Sequence, residues 1–238
     1  MKKVAIAVCA SVCSFMAQAG TMGAVAVDKH VIPYLEGDAS YTWNSLKGTT
    51  VNSLPATLKK NGWGGRISAG IVYPYTEQFG LNAEIGGGYY GQTRATLDSR
   101  GIRAKTNIDG YDVLVGGTYH ALEMVDVYFD FGFMNQNMQF KVTRDNALRF
   151  PGGLFTGTQV IHATQTQILP EIKVGALYNV FPYLAVTASY IHTFGTSNAS
   201  NITTNATVSP ANIANNGTID QRNPSLNVVL FGLRYNFV

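Results

Sequence analysis

Leu35-Glu36-Gly37-Asp38-Ala39-Ser40-Tyr41-Thr42-Trp43 is the stretch that decides the fold. Its odd positions are apolar, small or aromatic, and its even positions are Glu, Asp, Ser and Thr. Side chains alternate across a β-strand, so this segment has one apolar face and one strongly polar face. The same period-two pattern recurs at 65–73, 79–89, 111–120, 125–133, 168–178, 184–190 and 229–237. Segments of about ten residues with this dyad repeat are the signature of a membrane-crossing barrel. Leu169, Leu177, Val228 and Leu230 interrupt the polar face of their segments, and Pro170 marks the weakest strand.

Composition points the same way. Charged residues are 13% of the chain against 46% hydrophobic ones, with 25 Gly, 13 Tyr and 12 Phe. That charge is about half the level usual in soluble domains. No apolar run of about 18 residues follows the N-terminal region, so any crossing of a bilayer must use a closed barrel, in which every backbone group is paired.

The N-terminus reads as an export signal. Lys2 and Lys3 precede the apolar run from Val4 to Met16, and Ala17-Gln18-Ala19 supplies a small-residue cleavage site. The expected organisation is a signal peptide at 1–19, a short periplasmic leader at 20–30 and one barrel domain at 31–238. Both cysteines, Cys9 and Cys13, fall in the signal, which leaves no disulfide, thiolate ligand or Cys nucleophile. Removing Lys2 and Lys3 from the 17 basic residues leaves 15 against 14 acidic ones, so no global field points to nucleic acid.

Connection lengths alternate. Short turns are expected at 74–78, 121–124 and 179–183, and long polar loops at 44–63, 91–105, 143–162 and 195–222. A barrel with both termini in the periplasm needs this order. Aromatic residues gather at both ends of the segments: Tyr34, Tyr73, Tyr75, Phe79, Tyr119, Phe181, Tyr183, Tyr235 and Phe237 at one, and Trp43, Trp63, Tyr89, Tyr90, Tyr111, Tyr190 and Phe194 at the other. Two such belts suit the two headgroup levels of a bilayer. Alternation alone also fits an inside-out rival, a secreted lipocalin-type barrel with an apolar lumen, but low charge, loop asymmetry and paired belts favour the membrane.

The final residues, Phe231-Gly232-Leu233-Arg234-Tyr235-Asn236-Phe237-Val238, alternate apolar positions and carry a near-terminal Phe. They resemble the C-terminal insertion signal of the small OmpA-like and opacity-type outer-membrane barrels, and the resemblance extends over the whole mature chain. It departs from that pattern by ending on Val238. The resemblance implies an all-β, eight-stranded, antiparallel up-and-down transmembrane barrel in the bacterial outer membrane, assembled by the barrel-assembly machinery through its C-terminal strand.

Two residue sets are candidates for function. The polar faces carry Glu36, Asp38, Arg66, Glu84, Asp112, Asp130, Glu171, Lys173 and Arg234, a lumen charge network in which Arg234 neighbours Glu36 on closure and Lys173 lies level with Asp130. Either these residues form an ion-paired plug, or their acidic excess lines a narrow, cation-favouring water path. The long loops carry Lys47, Lys59, Lys60, Arg94, Arg100, Arg103, Lys105, Arg144 and Arg149. Their basic charge suits the anionic headgroups of lipopolysaccharide, or capture of an acidic host glycan or surface protein. No catalytic or metal-ligand constellation is present and no cofactor is implied. His192-Thr193-Phe194 lacks the Ser two residues from His that lipid-modifying barrels use. The function classes in play are a surface structural or adhesin-like barrel, a small porin and, more remotely, a lipid-modifying enzyme.

Overall fold

Each alternating segment is a strand of one closed antiparallel sheet. The computed structural model describes residues 30–44, 57–59, 61–97, 102–150, 153–195, 200–203, 218–221 and 225–237. Its barrel strands, numbered in chain order, are β1 (Ile32–Asn44), β2 (Asn61–Pro74), β3 (Phe79–Leu97) and β4 (Ile102–Leu122). They continue as β5 (Val125–Phe150), β6 (Gly153–Phe181), β7 (Leu184–Thr193) and β8 (Leu226–Asn236). The expected signal, the leader up to residue 29, and Lys47, Lys60 and Arg100 lie outside the described residues.

Sequence neighbours pair throughout, and β1 pairs with β8 from Tyr34 opposite Asn236 to Asn44 opposite Leu226, which closes the barrel. At one end the connections are short: four residues between β2 and β3, and two each between β4 and β5 and between β6 and β7. In the first, Thr76 Oγ1 accepts from the Phe79 amide at 2.9 Å, while the Tyr75 and Thr76 amides donate to the Phe79 carbonyl.

The opposite end departs from expectation. Within 91–105 and 143–162 the described residues are strands rather than irregular loops. β3 and β4 stay paired up to Leu97 opposite Ile102, and β5 and β6 up to Phe150 opposite Gly153. Polarity there marks water rather than loss of structure, because Thr, Gln, Asn and Val residues satisfy their backbones by cross-strand pairing. β7 meets β6 only from Glu171 to Phe181. Among the described barrel strands, β3–β6 therefore make a tall sheet on one side, and β7, β8 and β1 end low on the other. Pro170 sits where β7 ends. Its carbonyl accepts from the Phe194 amide, so its missing N–H faces that end and leaves the β5–β6 ladder intact.

Burial follows the two-residue period. Leu35, Ile67, Ile71, Leu81, Ile85, Val113, Val115, Phe129, Phe131, Phe133, Phe231 and Leu233 face outward and are exposed. Arg66, Glu84, Asp112, Asp130, Glu171, Lys173 and Arg234 face inward and are buried. Large inward residues are set opposite glycines: Arg66 faces Gly88, Glu84 faces Gly70, Asp112 faces Gly86, Asp130 faces Gly116, Glu171 faces Gly132 and Asp38 faces Gly232. An eight-stranded lumen is just wide enough for side chains, and these pairs divide that space between large and absent side chains. A Cβ on Gly86 would collide with the Arg66 guanidinium, and one on Gly232 with the Asp38 carboxylate.

Candidate functional site

The lumen holds a continuous file of alternating charge. The Arg66 guanidinium grips Asp112 with two contacts, Nη2 to Oδ1 at 2.5 Å and Nε to Oδ2 at 3.0 Å, and Nη2 also reaches Glu84 Oε1 at 2.6 Å. Lys173 Nζ donates to Glu84 Oε1 and Oε2 at 2.9 and 3.1 Å and to Glu36 Oε1 at 3.2 Å. Arg234 closes the file on Glu36 Oε2, through Nε at 2.7 Å and Nη2 at 2.6 Å. The order is Asp112, Arg66, Glu84, Lys173, Glu36, Arg234, three carboxylates and three cations in alternation. Each charge in the file thus has the hydrogen-bonded counter-charge that burial demands.

Tyrosines complete the file. Tyr34 donates to Glu84 Oε2 at 2.8 Å, with the Arg234 guanidinium 3.9 Å from the centre of its ring. Tyr90 donates to Asp112 Oδ2 at 3.2 Å, and the Tyr128 ring lies 5.2 Å from Lys173 Nζ. Tyr34 and Tyr90 were expected in the aromatic belts, and both are buried in the lumen instead. The period is the reason: Tyr34 shares the parity of Glu36, and Tyr90 that of Glu84, while Tyr89 takes the outer face.

Of the nine expected lumen residues, three stand outside the file. Asp38 accepts from Thr187 Oγ1 at 3.2 Å, Glu171 from Thr193 Oγ1 at 2.9 Å, and Asp130 from Asn82 Nδ2. Lys173 is opposite Asp130 in register, yet its long side chain crosses the lumen to Glu36 and Glu84.

On the long-loop side of the charges the lumen is mostly apolar, with Thr42, Thr106 and Gln136 as buried polar side chains among the apolar ones. Tyr90, Ile108, Met134, Met138, Ile191, Leu226, Val228 and Leu230 form one buried cluster. Towards the short turns, Tyr128, Leu177 and Ala185 form another. The residues that broke the sequence alternation are therefore the filling of the barrel. An apolar exterior around a charged, filled interior is the reverse of a soluble barrel. The molecule is a transmembrane β-barrel.

No protein-family model matches this barrel's sequence, and no curated protein matches it. Solved structures are similar to it. Ail, the attachment invasion locus protein of Yersinia pestis, is 13% identical at a TM-score of 0.47, over 87% of this chain and 98% of that one. The outer membrane protein OprG from Pseudomonas aeruginosa is 12% identical at 0.49, over 88% and 97%. Neisserial surface protein A is 13% identical at 0.39, over 86% and 97%. These likenesses transfer no residue roles, and the barrel assignment rests on this chain's own pairing and burial.

The basic positions divide. Arg94 and Lys105 are exposed on the outward face of the tall sheet, while Lys59, Arg103, Arg144 and Arg149 are placed in strands by their backbones. Among the described residues no group of three His, Cys, Asp or Glu side chains gathers as a metal site. His192 Nδ1 lies 2.9 Å from Asn227 Oδ1 and its ring meets Phe194 edge-on, the setting of a wall residue at the rim. His120 Nδ1 lies 2.5 Å from Asp126 Oδ1 beside the short turns, and Asn179 Nδ2 donates to Asp126 Oδ2 at 2.9 Å.

Proposed function

We propose that this chain is an outer-membrane barrel that serves as a rigid mount, displaying its tall β3–β6 sheet and long connections at the cell surface in a structural and adhesin-like role. The observation that carries the proposal is the filled lumen, with an ion-paired file backed by an apolar cluster. A water column crossing that cluster would keep few hydrogen-bond partners there besides Gln136, Thr42 and Thr106. The side that rises above the barrel also carries the exposed basic side chains of Arg94 and Lys105. In the test, cells producing the protein are compared with cells in which residues 145–158 are replaced by a two-residue turn. Retention on surfaces coated with acidic polysaccharide should fall with the shortened sheet. Equal retention by both, with equal amounts of folded barrel, refutes the adhesive role.

A second reading, a narrow cation-favouring porin, has one observation in its favour. Buried acidic residues number seven against three basic ones among the described residues, and the Ser40, Thr42 and Ser68 hydroxyls facing the lumen have no protein partner. Reproducible cation-selective steps from the refolded barrel in a planar bilayer would favour that reading, and silence favours the mount.

A further inference from the structure

Pairing in the tall sheet sets cations side by side. Lys59 is opposite Arg94, Arg94 opposite Lys105, Lys105 opposite Lys141, and Lys141 opposite His162. Neighbouring strands lie about 4.8 Å apart, so the row from Arg94 to Lys141 covers about 10 Å. The side chains of Arg94, Lys105 and Lys141 are all exposed. Lys105 shares the outward face of Tyr111, and Lys141 that of Phe133, so the row continues the lipid-facing wall. Arg94 reaches this face because of a bulge between Tyr89 and Gln92, where Gly91 has φ of 98°. Without that extra residue, alternation from Tyr89 would turn Arg94 inward.

Among the described residues, none beside the row on this face carries a compensating charge. One step below it on this face are Gln92, Asn107 and Gln139, of which Gln92 accepts from Arg94 Nε at 2.9 Å and donates to Asn107 Oδ1 at 2.7 Å. One step above are Thr96, Arg103 and Thr143. The nearest acidic positions on this face among the described residues are Asp109 and Asp145, each four residues, or about 13 Å, from the row. Like charges directly opposite one another destabilise an antiparallel pair. Three in succession make an arrangement that an anionic partner offsets.

We infer that this row is a binding site for the phosphate- and carboxylate-bearing sugars of lipopolysaccharide in the protein's own leaflet. The inference rests on the outer-membrane placement proposed above. Lys105 lies six residues beyond Tyr111, about 20 Å along the strand and about 15 Å in height for a strand tilted by about 40°. That height is above the hydrocarbon and within the sugar layer. The row points sideways from the wall, as the apolar belt does, so a glycolipid standing beside the barrel reaches it directly. A polymer arriving from outside meets the strand tips first.

The test titrates the refolded mature barrel in detergent with rough-type lipopolysaccharide by calorimetry. Dephosphorylated lipopolysaccharide and heparin oligosaccharide serve as the other two probes. The triple variant R94Q/K105Q/K141Q should bind lipopolysaccharide about tenfold more weakly or worse, and dephosphorylation should weaken binding to the wild type similarly. The variant K105E, at the centre of the row, gives the same readout from one substitution if the triple variant does not refold. The charge-preserving R94K/K105R/K141R should keep wild-type affinity. Lipopolysaccharide affinity within twofold of wild type in a heat-modifiable triple variant overturns the site. Heparin binding as tight as lipopolysaccharide and equally lost in the variant overturns the own-leaflet ligand. Neither result depends on adhesion or conductance, and cell fractionation reads the outer-membrane placement separately.

Discussion

Glu84→Gln is the substitution that most sharply probes the buried file. Glu84 is the central anion, taking Arg66 at 2.6 Å and Lys173 at 2.9 and 3.1 Å, with the Tyr34 hydroxyl at 2.8 Å. Gln keeps the volume and an acceptor for Tyr34. It removes the charge that two buried cations share and turns an amide NH2 towards donors that cannot accept from it. Breaking a buried ion pair from one side costs about 3–5 kcal/mol. Asp130→Asn is the matched control, also buried, but with only the neutral Asn82 amide as its hydrogen-bond donor. Its cost should be about 1 kcal/mol. For a urea dependence of about 2 kcal/mol per molar, the midpoints should fall by about 1.5–2.5 M and about 0.5 M respectively. Unfolding from lipid vesicles is followed by heat-modifiable gel mobility and by fluorescence of Trp43 and Trp63, both exposed on the outer wall. If Glu84→Gln shifts the midpoint no more than Asp130→Asn, the alternating file does not carry the stability assigned to it.

Two further outcomes follow from the packing and the topology. Gly86→Val should displace the Arg66 guanidinium and destabilise the barrel by about 1–3 kcal/mol. Gly37→Val, whose Cβ has nothing within 4 Å, should leave the urea midpoint nearly unchanged, and equal effects of the two would contradict the small-opposite-large packing. Trypsin applied to intact cells should release peptides only from the long-loop side, because Arg66, Lys173 and Arg234 are buried in the lumen. A mass-spectrometric fragment ending at Lys173 would break the strand map.

The strand count and the facing of most residues are legible in the sequence because the side-chain period of a strand is two and the bilayer demands an apolar outer face. Glu36 opposite Arg234 is legible for the same reason, since an up-and-down closure fixes which strands meet. The partner of Lys173 is not, because its long side chain passes over Asp130 and reaches across the lumen, and strand pairing constrains only neighbours. The apolar filling is hidden in the sequence, where Leu169, Leu177, Val228 and Leu230 interrupt a polar face, although an eight-stranded lumen is filled by side chains and these four are buried in it. Residue type alone puts Tyr34 and Tyr90 in the belts, whereas parity turns both inward. The extent of the tall sheet was hidden because polar strands in water resemble loops in composition. The row of Arg94, Lys105 and Lys141 depends on a bulge that no local pattern announces.

The central claim is an inside-out barrel with a closed lumen, and adjacent residues on β4 test it most directly. Val113 is 53% exposed on the outer wall and Leu114 is 0% exposed in the lumen. Single cysteines at the two positions, in a mature chain expected to have no others, are spin-labelled and their relaxation by lipid-dissolved oxygen is measured in bilayers. A label at 113 should relax strongly, and one at 114 should be immobile and shielded from both oxygen and a water-soluble nickel chelate. Strong nickel contact at 113, or free access of nickel to 114, would contradict the account.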